Sequence, residues 1–232
     1  MNVNEMPVVA FYAGRFQPMG KHHKATYDWA TEKFGADNVF IVSSDKVELP
    51  KSPLNFLEKQ MVAAAHGVPT DKFVNERVPY AAATWQNLPQ ILNSRGITPD
   101  NAVYVYIVGA KDMAEDPRFR VGMKKPTKRN PNPGPTYFQM FDETAPLAPG
   151  SQHGYLAVAP HMEFALPDGN ESSGTNLRAF LANSSPEEFQ AAMGFYDEDL
   201  DNLFKTKFVS TLSEARLRKL IRESIKRRIQ WL

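Results

Sequence analysis

The segment that most restricts the fold of this chain is a short apolar run followed at once by a basic turn. Residues 8–13 (VVAFYA) have the composition of a buried strand, and residues 14–23 (GRFQPMGKHH) follow without a break. Gly14 lets backbone approach a ligand, and the helix that opens after the turn offers unpaired N–H groups and the positive end of its dipole. His22 and His23 add protonatable donors at the same point. The pattern predicts a phosphate site at the end of a strand.

Apolar runs alternate with helical stretches over most of the chain. The runs predicted as buried strands, rich in Val, Ile, Phe and Tyr, are 8–13, 38–43, 73–78, 102–108 and 155–159. The stretches predicted as helices are 21–34, 54–66, 84–95 and 175–183. This alternation is typical of an α/β fold with a doubly wound parallel sheet, whose ligands bind beyond the carboxyl ends of the strands. Gly14, Gly109 and Asp112, which follow the first and fourth runs, are therefore candidate site residues.

The composition excludes several classes of protein. The 232 residues are 42% hydrophobic, enough for a sizeable core, and the formal net charge is only +1. There is no cysteine, which excludes disulfides, thiolate metal sites and cysteine nucleophiles, and the histidines lack the spacing of a transition-metal site. No apolar stretch approaches the ~18 residues of a membrane span, and residues 1–7 lack the features of a signal peptide. We expect a soluble, cytoplasmic protein without a membrane span.

Two segments depart from the alternating pattern. Residues 115–152 contain seven prolines and a basic cluster, which is typical of a solvated insertion, a phosphate-recruiting lid or a partner-binding arm. Residues 211–232 hold seven Lys/Arg against two Glu, with apolar residues on one helical face, and predict a basic amphipathic helix. Such a helix docks on its own domain, a second copy, another partner or an anionic surface. We predict one domain over 1–210 and a C-terminal helix over 211–232, used for self-docking or in a homo-oligomer.

Four separated segments resemble, in order, the signatures of the nucleotidylyltransferase superfamily. Residues 14–23 resemble its first signature, which carries a His-x-Gly-His or Thr-x-Gly-His turn. Residues 52–59 (SPLNFLEK) resemble the Asn-Pro-Phe-x-x-x-Glu-Arg segment of archaeal-type nicotinamide-mononucleotide adenylyltransferases. Residues 108–112 (VGAKD) resemble a Val-Gly-x-x-Asp strand end, and residues 172–178 (SSGTNLR) resemble the late Ser-x-Thr-x-x-Arg signature. The resemblance covers about residues 8–183 and implies a Rossmann-like fold.

The resemblance also implies a reaction, in which a phosphate-bearing acceptor attacks a nucleoside triphosphate directly. Mg²⁺ would assist through the triphosphate, with no protein side chain as its ligand, and catalysis would depend on positioning and charge stabilisation. His23 would donate to the α-phosphate, and Arg178, on the same helical face as Thr175, would clamp the β- and γ-phosphates. The other nucleotide-binding residues that the resemblance implies are Gly14, Arg15, Phe16, Gln17, Gly109, Asp112, Ser172, Ser173 and Gly174.

The first signature departs from the family pattern. When residues 14–18 are aligned, the family's first histidine falls on Gly20 and its glycine falls on His22, so that His-x-Gly-His has become GKHH. The last histidine is kept as His23. His22 and Lys21 are the candidates to replace the missing first histidine in catalysis.

The acceptor site is predicted from one aromatic residue. Trp85 resembles the tryptophan that stacks on the nicotinamide ring in archaeal-type enzymes, and a core tryptophan is the alternative. Lys59 is the second candidate for acceptor binding. Residues 79–83 (PYAAA) offer almost no side-chain hydrogen bonds before Trp85. Nicotinamide mononucleotide (NMN) leads the candidate acceptors, and a sugar phosphate or a phosphorylated alcohol stays open.

The resemblance therefore implies an adenylyltransferase that uses ATP and a phosphate-bearing acceptor, with NMN as the leading candidate and NAD as the product. A cytidylyltransferase is the alternative enzyme, because base choice depends on backbone contacts near residues 155–173. A catalytically weakened nucleotide-binding or structural protein is the alternative from another class. The altered turn favours it, as does a tail similar to short tails of some bacteriophage-encoded proteins. A nucleic-acid binder would use the basic insertion and tail, and its binding would depend steeply on salt.

Overall fold

A computed structural model describes residues 6–110, 113, 119–124, 126–127, 131 and 133–209. The predicted tail helix over 211–232 and the predicted site residue Asp112 lie outside these residues. The strands are β1 (Val8–Ala13), β2 (Val39–Ser43), β3 (Phe73–Asn75), β4 (Val103–Gly109), β5 (Phe138–Met140) and β6 (Gly154–Ala159). The helices are α1 (Lys21–Phe34), α2 (Phe56–Ala65), α3 (Asn87–Ser94), α4 (Gly174–Leu181), α5 (Pro186–Met193) and α6 (198–209).

The six strands form one sheet in the order β3-β2-β1-β4-β6-β5, and every neighbouring pair is parallel. The strand order reverses between β1 and β4, as in a doubly wound sheet. These two central strands pair with Tyr12 opposite Ile107, so their carboxyl ends lie side by side. The prediction of an α/β Rossmann-like fold with a parallel sheet is confirmed.

The sheet forms because its strands are apolar on both faces. All five residues of β2 are buried, and so are Val9, Ala10 and Phe11 of β1. Near-continuous apolar runs of this kind are typical of parallel strands covered on both sides. Leu88 of α3 joins the same apolar core.

The described residues divide into two compact units. The first contains the whole sheet and runs up to Gly14, then over Ala25–Ser43 and Asp71–Met162. The second contains Arg15–Lys24, Ser44–Thr70 and the described residues from Glu163 onward. Along the chain, the second unit thus takes up nearly all of the first predicted signature, residues 14–23.

The second unit has its own apolar core. Phe189 stacks on Phe204 with ring centroids 5.7 Å apart, and Phe204 stacks on Phe208 at 4.8 Å. These three rings are fully buried, as are Leu177 and Leu181 of α4. Burial of this size fixes the position of α4, α5 and α6 within the unit.

The proline-rich insertion contributes to the sheet. Its residues Phe138–Met140 form the edge strand β5, and Val121 bridges to Phe138 on the outer side of that strand. Part of the insertion is therefore a strand of the sheet. Within the described part of the chain, no helix is both long enough and apolar enough to cross a membrane.

Candidate functional site

The turn after β1 begins with an unusual backbone conformation. Gly14 still donates its N–H to the carbonyl of Val42 at 3.0 Å, as a continuation of the sheet. Phe16 then adopts a left-handed φ of 46°, although its side chain is only 2% exposed. A non-glycine residue in this region costs about 1–3 kcal/mol and persists only where the surroundings hold it. Phe16 is therefore a strained residue at the start of the predicted phosphate turn.

Gln17 joins three segments of the second unit. Its amide pairs with the backbone of Leu54: Nε2 donates to the Leu54 carbonyl at 2.8 Å, and Oε1 accepts from the Leu54 N–H at 2.8 Å. The backbone carbonyl of Gln17 accepts a hydrogen bond from Nη1 of Arg178 at 2.7 Å. Gln17 was predicted to bind nucleotide, and here its side chain fixes the turn to the segment before α2.

His23 lies in the first turn of α1, where its ring bonds back to the helix start. The N–H of Gly20 donates to Nδ1 of His23 at 3.1 Å. The ring also packs against Phe16, with centroids 5.2 Å apart, and against His22 at 3.9 Å. Burial holds the pKa of His23 well below its usual range, and the neighbouring His22 and His66 lower it further. His23 is therefore neutral at pH 7, with its proton on Nε2, because Nδ1 is the acceptor.

The two candidate replacements for the missing histidine have different surroundings. Burial lowers the pKa of His22, and the nearby carboxylate of Glu171 opposes that shift in part. Lys21 extends its ammonium to the carbonyl of Ala191, near the end of α5, with Nζ and O 2.5 Å apart. A cation at this position complements the negative end of a helix. The ammonium of Lys21 is therefore hydrogen-bonded near the C-terminus of α5.

Gly20 has no room for a larger side chain without movement of its neighbours. A Cβ at this position would lie 3.0 Å from Cδ2 of Leu177 and 3.4 Å from the His22 ring. Leu177 is fully buried in α4. A larger side chain at position 20 would therefore require Leu177 or His22 to shift.

The start of α4 gathers hydroxyl and guanidinium groups. Ser173 caps the helix by accepting the N–H of Asn176 on Oγ at 3.2 Å. Nη2 of Arg178 lies 3.4 Å from Oγ1 of Thr175, so the two side chains share one face as predicted. Burial lowers the pKa of Arg178, and the positive charge of Arg15 lowers it further. Arg178, with the charge of Arg15 near enough to act on it, is therefore suited to bind a phosphate anion beside Thr175.

Three other predicted site residues lie in the sheet unit. Gly14 and Gly109 follow adjacent strands, β1 and β4, at their carboxyl ends. Trp85 is partly exposed and packs over the same strands, with its ring centroid 5.2 Å from that of Phe11 and 6.0 Å from that of Tyr106. Its Nε1 donates to the carbonyl of Val78 at 3.2 Å. The sheet therefore brings Gly14, Gly109 and one face of Trp85 to neighbouring strands.

Ser172 and Lys59 complete the predicted set. The N–H of Ser172 donates to the carbonyl of Phe164 at 3.0 Å, which fixes the approach to α4. Lys59 is only 1% exposed, and its ammonium donates to the carbonyl of Ser44. Burial lowers the pKa of Lys59 to about 8, and Asp45 opposes the shift. The ammonium of Lys59 thus fixes the segment that follows β2.

His66 lies against the turn that leads into α1. It caps the C-terminus of α2, and its Nε2 lies 3.0 Å from the carbonyl oxygen of Met19. No sequence signal links these two residues, because the contact joins a side chain to a backbone carbonyl 47 positions away. Glu171, whose carboxylate acts on the imidazole of His22, was also missed, because the two side chains are far apart in the sequence.

The donor set suits an anion better than a metal ion. Among the described residues, no group of three or more histidines and carboxylates could hold a metal. The gathered side chains are guanidinium, hydroxyl and neutral imidazole groups, all of which can donate hydrogen bonds to phosphate oxygens.

Two solved structures have a similar fold. Both are of a bifunctional NMN adenylyltransferase/ADP ribose pyrophosphatase from Francisella tularensis. One has a TM-score of 0.53 at 14% identity, over 95% of this chain and 57% of that chain. The other, a complex with AMP and a manganese ion, has a TM-score of 0.52 at 13% identity, over 95% and 56%. This chain therefore spans little more than half the length of those chains. At such identity the likeness shows the fold alone; no protein-family profile and no curated protein matches the chain.

Proposed function

We propose that this chain is a nucleotidylyltransferase that transfers an adenylyl group from ATP to a phosphate-bearing acceptor, with NMN as the leading acceptor. The observation that carries the proposal is the grouping of Arg178, Arg15 and Thr175 at the start of α4, joined through Gln17 to the turn that holds His23. The fold shared with the NMN adenylyltransferase structures supports it.

In the proposed reaction, an oxygen of the acceptor phosphate attacks the α-phosphorus of ATP. A new P–O bond forms, the bond between the α-phosphorus and its bridging oxygen breaks, and pyrophosphate leaves with the electron pair. His23 donates from Nε2 to a non-bridging α-oxygen, where charge increases in the transition state. Arg178 and Arg15 bind the β- and γ-phosphates, and Mg²⁺, when bound to the triphosphate, supplies further charge neutralisation.

The neutral state of His23 suits this role. A neutral imidazole with Nδ1 bonded to the N–H of Gly20 has one N–H, on Nε2, and its direction is fixed by the ring contacts with Phe16 and His22. It stabilises charge as a hydrogen-bond donor and needs no proton transfer. The reaction therefore keeps His23 in the same protonation state from start to finish.

We propose Trp85 as the platform for the acceptor base. Its partly exposed ring packs over β1 and β4, the central strands that carry Gly14 and Gly109 at their ends. A flat ring such as nicotinamide stacks well on indole. The substitution Trp85→Ala should raise KM for NMN at least tenfold and leave KM for ATP within twofold, while Trp29→Ala serves as the control. Equal effects on both substrates would remove Trp85 from the acceptor site.

The first experiment measures pyrophosphate release from ATP or CTP with Mg²⁺, over a panel of acceptors led by NMN. The wild type is compared with His23→Ala and with His161→Ala, a control at an exposed histidine. We expect release that depends on ATP and NMN, falls at least 100-fold in His23→Ala and is unchanged in the control. Release with CTP would identify a cytidylyltransferase, and no release over the whole panel would refute the transferase.

A second experiment isolates the triphosphate. Arg178→Ala should weaken ATP binding about 10- to 100-fold, since hydrogen bonds to charged groups contribute about 1.5–3 kcal/mol. The control is Arg77→Ala, at an exposed arginine. Calorimetry measures both affinities, and unchanged ATP affinity in Arg178→Ala would rule out its role.

One observation favours a second candidate, a nucleotide-binding protein with weakened catalysis. The first histidine of the family pattern is Gly20 here, and Lys21 is bonded to Ala191. This protein would bind ATP in calorimetry and release no pyrophosphate with any acceptor. The two experiments together separate the candidates.

A further inference from the structure

We propose that His66 is a positioning residue for His23, and that it acts through the single peptide group between Met19 and Gly20. The proposal rests on the proposed function only in taking His23 as the phosphate donor. In this proposal His66 acts through that peptide group and does not contact the phosphate.

The first half of the link is the contact of His66 with Met19. A carbonyl oxygen only accepts hydrogen bonds, so Nε2 of His66, 3.0 Å from the Met19 oxygen, must be the donor. The imidazole is held in place by its position at the C-terminal cap of α2 and by the ring of Phe195, which meets it edge-on at 4.8 Å. Met19 is fully buried, so its carbonyl has little freedom to turn away.

The second half is the contact of Gly20 with His23. The N–H of Gly20 belongs to the same peptide group as the Met19 carbonyl, and it donates to Nδ1 of His23 at 3.1 Å. A peptide group is planar and stiff, so the direction of its oxygen sets the direction of its N–H. Two histidines are therefore connected by one rigid unit, with a donor at one end and an acceptor at the other.

This link fixes the tautomer of His23. A firmly oriented N–H at Nδ1 leaves the proton of a neutral ring on Nε2, the nitrogen that the proposed reaction uses. Hydrogen bonds in a chain also strengthen one another, so the bond at Met19 increases the donor strength of the Gly20 N–H. Glycine at position 20 belongs to the same arrangement, because Leu177 fills the space that a larger side chain would need.

The test uses the full chain with nitrogen-15 in its histidines. NMR reports which ring nitrogen of His23 carries the proton, in the wild type and in His66→Gln, His66→Leu and His66→Asn. Glutamine can place an amide N–H near the position of Nε2, leucine has no donor, and asparagine is too short to reach. The control is His153→Leu, a histidine on the sheet unit.

We expect the Nε2–H tautomer of His23 in the wild type, His66→Gln and the control. In His66→Leu and His66→Asn the second tautomer should appear, and kcat should fall about tenfold with KM for ATP unchanged. If His66→Leu does not fold, His66→Asn decides. An unchanged His23 tautomer in a folded variant without a donor would overturn the proposal. A changed tautomer in a protein that never shows transferase activity would leave the link intact and refute the proposed function instead.

Discussion

Replacing the buried Gln17 with leucine should destabilise the protein strongly. The substitution removes both hydrogen bonds to Leu54 and leaves a buried N–H and a buried carbonyl without their partner. Each orphaned group costs about 1–3 kcal/mol, so we expect a loss of about 2–6 kcal/mol in the free energy of unfolding. This is a large share of the 5–15 kcal/mol that is usual for a folded protein.

Urea unfolding, followed by tryptophan fluorescence and circular dichroism, measures the loss. The matched control is Gln60→Leu, because Nε2 of Gln60 also donates to a backbone carbonyl, that of Thr70, but at an exposed position. We expect a change within about 0.5 kcal/mol there. Gln17→Glu should cost at least as much as Gln17→Leu at pH 7, since it buries a carboxylate and turns one of its oxygens toward the Leu54 carbonyl. Equal losses in Gln17→Leu and Gln60→Leu would refute the reasoning.

Three further predictions concern buried polar groups. Glu76, 2% exposed, accepts the N–H groups of Gln86 and Leu88 at the start of α3, so Glu76→Gln should lower stability by about 1–3 kcal/mol in calorimetry; an unchanged Tm would contradict this. Lys59 has a folded pKa of about 8, below the ordinary 10.5, so the wild type should gain stability relative to Lys59→Met as pH rises from 8 to 10.5. A difference in the free energy of unfolding in urea that stays constant over this pH range would contradict the prediction. His23 has a folded pKa well below 6.5, so the free energy of unfolding should fall as pH drops below 6.5. The fall should be smaller in His23→Asn, which keeps an acceptor for the Gly20 N–H, and an equal dependence of stability on pH in the two proteins would contradict this.

The sequence predicted most of the sheet because its strands carry strong local signals. The predicted bounds of β1 and α1 agree with the structure at both ends, and the strand predicted over 73–78 ends early, at Asn75. The edge strand β5 was missed, since three residues within a proline-rich segment give no recognisable alternation. Helix α5 was also missed, although Ser185, Pro186 and Glu188 form a capping box with proline in the first turn. This capping pattern would have been enough to predict the start of the helix.

The candidate site was only partly predictable, for a physical reason. The pairing of Arg178 with Thr175 followed from helical spacing, and the structure has it. The contacts of Gln17, Lys21 and His66 did not follow, because each ends on a backbone atom. Backbone groups are the same at every position, so such contacts leave no trace in the residue types of the partner segment.

The division into units has a consequence for how the chain is made. The second unit is assembled from three stretches of sequence. The hydrogen bond from Arg178 to the Gln17 carbonyl can form only after another 161 residues have been synthesised. At ribosomal rates of about 5–20 residues per second, the turn at residues 15–24 stays without its partner for roughly 10–30 s after it emerges. A nascent chain that stops before α4 carries the first signature and lacks the helix that holds it. We therefore expect fragments that contain the first signature without α4 to lack the proposed transferase activity.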